Sequence, residues 1–286
     1  MKGIILAGGT GSRLSPLTIS VSKQLLPVFD KPMIYYPLST LIEAGIKDIL
    51  IITTRESQKQ FISLLGDGSE FGINLQYQFQ EKPNGIAESF IIGEKFIGKD
   101  SVVLILGDNI FGNINFDNIS NILRNKNFGS IIFSIIVDQP ERYGVIKFKN
   151  KKIISITEKP NKYISNNAIT GLYYFDNNVI NISKKLSFSK RNELEIVDIL
   201  NIYLKKKKLN HNILGKGNFW LDAGTPRSLL QSSQLIQTIQ DRQRYLIGSP
   251  EVAAFNNGFI TLSTLKKKIE KLNNSAYKDS LINFFL

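Results

Sequence analysis

Residues 8–13 read Gly-Gly-Thr-Gly-Ser-Arg, directly after the apolar run Ile4–Ala7, and a lysine, Lys23, follows before Leu25-Leu26-Pro27. Gly8, Gly9 and Gly11 allow a tight turn with positive φ and let bare N–H groups approach a ligand. Converging N–H groups, here extended to Ser12, make an anion nest. Arg13 adds a planar fork suited to phosphate oxygens, and Lys23 a compact second charge. The ligand this combination suits is a polyphosphate. A P-loop would need a lysine directly after its last glycine, but Ser12 and Arg13 stand there. A dinucleotide fingerprint would need a third glycine at the position of Arg13. The glycines alone would also fit an ordinary βα turn; Arg13 and Lys23 argue against that.

Two carboxylates have the right setting for a divalent cation. Asp108 follows the apolar run Val102–Leu106 through Gly107, and Asp222 lies in Trp220-Leu221-Asp222-Ala223-Gly224-Thr225 before a helical pattern. Mg²⁺ is held by one or two carboxylates together with phosphates and water. The two fit that need if the fold joins them. Otherwise Asp222 could cap the helix at Pro226, and Asp108 could be a turn residue. Nucleotidyl transfer needs positioning and charge neutralisation rather than a protein nucleophile. The single histidine, His211, in a predicted short strand, is therefore read as structural.

The elements that position these groups follow from periodicity. Ile4–Ala7 has almost no polar face and reads as a buried parallel strand. Helices are expected over 37–44, 57–65 and 87–96, with strands over 48–53, 75–79 and 102–106. This β–α alternation predicts a parallel sheet covered on both faces, with ligands at the carboxyl ends of its strands. The middle is richer in strands: 130–137, 143–148, 152–157 and 169–175, with Asn150-Lys151 as a turn. Helices are expected over 176–184, 195–205 and 226–245, followed by a helical tail read as a lid or interface. The predicted fold is thus a Rossmann-like α/β fold, a mixed, mainly parallel sheet flanked by helices. It has a β-rich part and a helical C-terminal tail. The expected division is 1–245, with an α/β part at about 1–110 and a β-rich part at about 130–225, then 246–286.

Composition narrows the class. With 42% hydrophobic and 21% charged residues the chain is ordinary for a globular protein. No run approaches the ~20 apolar residues of a membrane span, and no membrane partner is expected. Met1-Lys2 leads straight into a strand, which predicts no signal peptide. Without a cysteine there is no disulfide, thiolate metal site or cysteine nucleophile, and a cytoplasmic location is expected. The net charge of +12 invites a nucleic-acid reading. The basic clusters Lys205–Lys208 and Lys266–Lys268 read instead as a solvated helix end and a surface helix. They lack interleaved aromatics, so no nucleic-acid partner is expected.

The run Gly8 to Pro27 resembles the signature of the sugar-1-phosphate nucleotidylyltransferases. Continued through Asp30-Lys31-Pro32-Met33-Ile34-Tyr35-Tyr36-Pro37, it is similar to their glucose-1-phosphate thymidylyltransferase branch. Gly107-Asp108-Asn109, Tyr143-Gly144-Val145, Glu158-Lys159-Pro160, Ile169-Thr170-Gly171 and the Trp-Leu-Asp motif extend the likeness over roughly residues 3–262. The resemblance implies thymidylyl transfer from dTTP to glucose 1-phosphate, with Mg²⁺ as cofactor, in nucleotide-sugar biosynthesis of the dTDP-rhamnose type. It also implies a homotetramer. Arg13, Lys23, Asp108, Lys159 and Asp222 would be catalytic, with Asp108 and Asp222 holding the metal. Gln24, Gln80 and Gly85 would join Gly8, Gly9, Gly11, Ser12, Arg13, Lys23 and Asp108 on the nucleotide. Asn109, Tyr143, Gly144, Glu158, Lys159, Ile169 and Arg191 would hold the sugar phosphate. On their own, Gln80 and the Glu158-Lys159 pair would read as surface residues.

The departures are specific. Glu88 stands where the family usually has Gln, Asn84 where Asp is common, and Ala223 where a Thr flanks the metal Asp. Gly112-Asn113-Ile114, Lys216 and Asn256 replace the residues of a second, regulatory nucleotide site, so feedback inhibition is expected to be blunted. The alternatives are a uridylyltransferase with the same chemistry and a catalytically degenerate nucleotide-sugar-binding protein.

Overall fold

The structure is a computed structural model; it describes residues 1–9, 11–114, 116 and 129–284. Thr10 of the glycine turn and the last two residues of the tail lie outside the described residues. The strands in chain order are β1 (Lys2–Leu6), β2 (Pro27–Val28), β3 (Lys31–Pro32), β4 (Asp48–Thr53), β5 (Asn74–Phe79), β6 (Val102–Leu106) and β7 (Asn109–Gly112). They continue as β8 (Ser130–Ile136), β9 (Gly144–Lys149), β10 (Lys152–Glu158), β11 (Asn167–Phe175), β12 (Leu209–Ile213) and β13 (Phe219–Asp222).

The main sheet runs β10-β9-β11-β6-β1-β4-β5, with β8 beside β11 and β12 beside β8. β1 lies parallel to both β4 and β6, and β4 parallel to β5. β11 turns the sheet antiparallel. The apolar runs are explained by burial on both faces. Ile5, Ile49, Ile51, Val103 and Ile105 pack under helix Tyr35–Glu43. Their neighbours Ile4, Leu50, Ile52, Val102 and Leu104 share a second core with Phe90 and with helices Asn178–Ser183 and Ile196–Lys205, Ile4 and Leu50 lying against Gly93. Each such buried side chain is worth roughly 1.5–3 kcal/mol.

Several boundaries move. The first helix begins at Tyr35, not Pro37. Proline is tolerated there because first-turn N–H groups have no helical partner. The single helix expected over 87–96 is two, Glu88–Ile92 and Glu94–Ile97, divided at Gly93. Asn150 and Lys151 both have positive φ, 51° and 62°, as a tight type I′ hairpin turn requires. His211 lies on β12, where its Nε2 meets Ser134 Oγ at 2.7 Å. Burial lowers its pKa to about 4, so the ring is neutral.

The C-terminal helices Pro250–Asn256, Leu262–Lys271 and Ala276–Asn283 bury Val252, Ala254, Leu265, Ile269, Tyr277 and Leu281 in the core shared with Leu38 and Ile51. A buried polar joint pins them. Lys31 Nζ donates to Asp30 Oδ1 (2.6 Å), Gln240 Oε1 (3.1 Å) and the Ile247 carbonyl (3.2 Å). Tyr277 donates to Glu251 Oε2 at 2.5 Å. Lys268, expected on a solvated helix face, instead sits 3.5 Å from the buried Glu251 carboxylate and over the Phe71 ring. Among the described residues, no helix is long and apolar enough to cross a membrane.

Candidate active site

The glycine turn leaves the end of β1. Gly11 has φ +65°, and a side chain there would strike Thr18 at 2.9 Å. Thr18 Oγ1 instead donates to the Gly11 carbonyl at 2.8 Å and closes the loop. Two short 3₁₀ turns follow, Ser12–Leu14 and Lys23–Leu25. The second buries Lys23 and Gln24 and aims Lys23 Nζ at Asp108 Oδ2, with which it forms an ion pair. Ser22 Oγ fixes Gln24 by donating to its Oε1 at 2.8 Å.

Asp108 and Asp222 are joined by a ribbon that local patterning does not show. β7 pairs antiparallel with β13, with Asn109 opposite Asp222, and the Ala223 N–H donates to the Asp108 carbonyl at 3.1 Å. Asp222 does not cap the following helix: Thr225 does, in a reciprocal box with Ser228. Asn109 orients the site. Its Nδ2 donates to Asp108 Oδ1 (2.9 Å), and its Oδ1 accepts from the Gly171 N–H (3.0 Å) and the Trp220 indole (2.5 Å). Burial raises the Asp108 carboxyl pKa, but the charge and hydrogen bond of Lys23, with the Asn109 amide, outweigh it and hold it low. Asp222 is pushed up by burial and by the neighbouring Asp108 charge, against Lys23, Arg13 and Arg142.

A cavity of about 190 Å³ opens beside these carboxylates. Arg13, Asp108, Asn109 and Asp222 line it together with Tyr143, Gly144, Glu158, Lys159 and Ile169. Lys159 has a strained backbone for a lysine, φ +39°, with its N–H bonded to the Tyr143 carbonyl at 3.0 Å. Arg191 does not line this cavity. It pairs with Glu195 (2.7 Å), Glu193 (3.1 Å) and Glu158 (3.4 Å), so it reaches the site through Glu158. Burial raises the Glu158 pKa despite Lys159 and Arg191.

The predicted base contacts, Gln80 and Gly85, are not among the residues lining this cavity. Gln80, at the end of β5, is buried and packs on Gly8, while Gly85 lies against the Leu194 backbone. Gly9 lines a separate cavity of about 310 Å³ with Ser22, Thr54 and Ser57. One residue was missed. Arg142 lines the smaller cavity, with Nη2 buried 3.6 Å from Asp222 Oδ2 and no hydrogen-bond partner among the described residues. The available signal was its place beside Tyr143-Gly144. Asn113 and Gly217, from two segments that the resemblance assigns to a regulatory nucleotide site, meet through Asn113 Nδ2 and the Gly217 carbonyl at 3.5 Å.

The sequence model of the nucleotidyl transferase family matches residues 2–239. A glucose-1-phosphate thymidylyltransferase of Neisseria gonorrhoeae is 49% identical over 284 residues, covering 99% of each chain. One of Mycolicibacterium smegmatis is 47% identical, covering 99% of this chain and 98% of that protein. A solved structure described as a glucose-1-phosphate thymidylyltransferase from Bacillus anthracis, in complex with sucrose, superposes with a TM-score of 0.78. It is 45% identical and covers 82% of this chain and 94% of that one. A UDP-glucose pyrophosphorylase complexed with UDP-glucose shares the fold, with a TM-score of 0.73, 24% identity and coverage of 83% and 98%.

Proposed function

This chain belongs to the nucleotidyl transferase family, and on that premise we propose that it transfers the thymidylyl group of dTTP to glucose 1-phosphate. The products are dTDP-glucose and pyrophosphate. One observation carries the reading: Arg13, Asp108 with its partner Lys23, and Asp222 border one cavity together with Tyr143, Gly144, Glu158 and Lys159. A polyphosphate and a sugar phosphate would meet between them. The full-length likeness to curated thymidylyltransferases supports the choice of substrates.

A phosphate oxygen of glucose 1-phosphate attacks the α-phosphorus of dTTP, and the bond from that phosphorus to the bridging oxygen of pyrophosphate breaks in line. The turn at Gly8, Gly9, Gly11 and Ser12 cradles the triphosphate. Arg13 and Lys23 neutralise charge on the leaving pyrophosphate. Lys159 holds the attacking phosphate, and Glu158 accepts from sugar hydroxyls with Tyr143, Gly144 and Ile169 around the ring. Arg191 acts through Glu158. Asn109 orients Asp108, and Gln24, Gln80 and Gly85 hold the nucleoside.

Members of the family use a divalent metal, and Mg²⁺ fits the donors here. Asp108 and Asp222 are hard oxygen donors, and burial together with the neighbouring Asp108 charge disfavours ionisation of Asp222. Two carboxylates suffice for Mg²⁺ when substrate phosphates and water complete its shell. When bound, the metal supplies charge stabilisation to the phosphate oxygens. The nucleotide part at about 1–110, the sugar-phosphate part at about 130–225 and a cytoplasmic homotetramer belong to the same proposal, and light scattering tests the assembly.

The decisive experiment is pyrophosphate release with glucose 1-phosphate, Mg²⁺ and each nucleoside triphosphate. Release with dTTP, abolished by EDTA and by Asp108→Asn, is expected. Binding of dTTP without release would overturn the reading.

A further inference from the structure

We infer that Glu88 is a positioning residue for base selection: it holds the Gln80 amide in one orientation, with the carbonyl presented to the base. The inference rests on the function proposed above and concerns which bases that site accepts.

A primary amide has two N–H donors and one carbonyl acceptor, and a half-turn exchanges them. At Gln80 both donors are spent inside the protein. Nε2 donates to Glu88 Oε2 at 2.6 Å and to the Gly85 carbonyl at 3.2 Å. An ionised carboxylate and a backbone carbonyl can only accept, so the flipped amide would set three acceptors against one another. Gln80 is 6% exposed, which makes such a mismatch costly.

The supports are themselves fixed. Glu88 Oε1 accepts from Asn84 Nδ2 at 2.8 Å, so one carboxylate bridges two amides. The Asn84 carbonyl accepts from the Leu194 N–H at 2.6 Å. Gly85 has φ +102° and a methyl there would lie 2.5 Å from the Leu194 carbonyl, so only glycine lets this loop seat its carbonyl at Gln80. Gln80 Oε1 faces the glycine turn, 2.9 Å from where a Gly8 methyl would be, and no donor reaches it among the described residues.

The group therefore offers an acceptor alone. Thymine and uracil carry a ring N–H at N3 that pairs with it; cytosine has a lone pair there. A site built this way rejects the mismatched base because buried polar groups are left unpaired. It does not distinguish thymine from uracil, which differ at the methyl.

The test is kcat/KM for dTTP and dCTP, with glucose 1-phosphate saturating, in the wild type, Glu88→Ala and Glu88→Gln. In Glu88→Ala the amide is free to turn, and the preference for dTTP is expected to fall about 10- to 100-fold. The KM for glucose 1-phosphate should be unchanged. Glu88→Gln should fall between, because Gln80 and Asn84 donate to different oxygens of Glu88 and an NH₂ in place of either oxygen sets donor against donor. An unchanged dTTP/dCTP ratio in Glu88→Ala overturns the inference. Should that variant not fold, a wild-type ratio in Glu88→Gln overturns it equally. Wild-type protein that releases no pyrophosphate from dTTP would refute the proposed reaction instead. Equilibrium binding of the two nucleotides to the same variants reads the ratio without turnover.

Discussion

The indole N–H of Trp220 donates to Oδ1 of Asn109 at 2.5 Å. Through the Asn109 amide this fixes Asp108, 2.9 Å further on. Trp220 also sets its ring edge-on to Tyr143, with centroids 5.0 Å apart. Trp220→Phe keeps an aromatic ring and loses the donor. Its kcat should fall about 5- to 10-fold, the worth of one hydrogen bond, with little change in the KM for glucose 1-phosphate. Steady-state kinetics of pyrophosphate release check this. An unaltered kcat would mean that Asn109 holds Asp108 without the indole.

Arg13 faces Asp222 across Gly224, where an added methyl would lie 3.3 Å from its Nη2. Removing a preorganised donor that stabilises developing charge costs about 10²–10³ in rate. Arg13→Ala should show that loss at saturating substrates, in single-turnover as well as steady-state assays. Near-normal turnover would remove Arg13 from the chemistry.

Lys31 is the centre of the joint between the core and the C-terminal helices, with side-chain exposure of 1% against 2% for Asp30. Lys31→Ala leaves the Asp30 carboxylate buried without its cation. Urea unfolding should show a loss of about 3–5 kcal/mol, and a loss under 1 kcal/mol would show that the joint relaxes.

His211 gives a pH dependence of stability with a defined sign. Its folded pKa, about 4, lies below the ordinary 6.5, so the unfolded chain takes up the proton first as the pH falls. This contribution is intact above pH 6.5 and is lost between 6.5 and about 4. The fall in urea midpoint over that window should be smaller in His211→Asn than in the wild type. Equal slopes would show that the ring is freely protonated in the folded protein.

What the sequence made legible was local. The β1 run, the glycine turn and the β4 to β6 alternation are visible because burial on both faces leaves continuous apolar runs. The position of Asp108 after β6 follows from the same pattern. The β7–β13 ribbon was not legible: each strand has four residues, and their partners are far apart in the chain. The role of Thr225 as the helix cap was hidden because Asp222 nearby is an equally good capping residue type. Lys268 read as a surface charge, and Arg142 drew no reading at all, because only the tertiary fold brings a carboxylate to each.

That ribbon also has a kinetic consequence. Trp220 and Asn109 are 111 positions apart, so the carboxylate pair forms only after a long loop of chain has closed, a step whose entropy is recovered late. Regain of activity on refolding should therefore trail the return of helix and sheet signal. During synthesis, the first half of the sheet can be in place while the site still lacks Asp222, leaving a nascent chain with the glycine turn and Asp108 but only one of the two carboxylates.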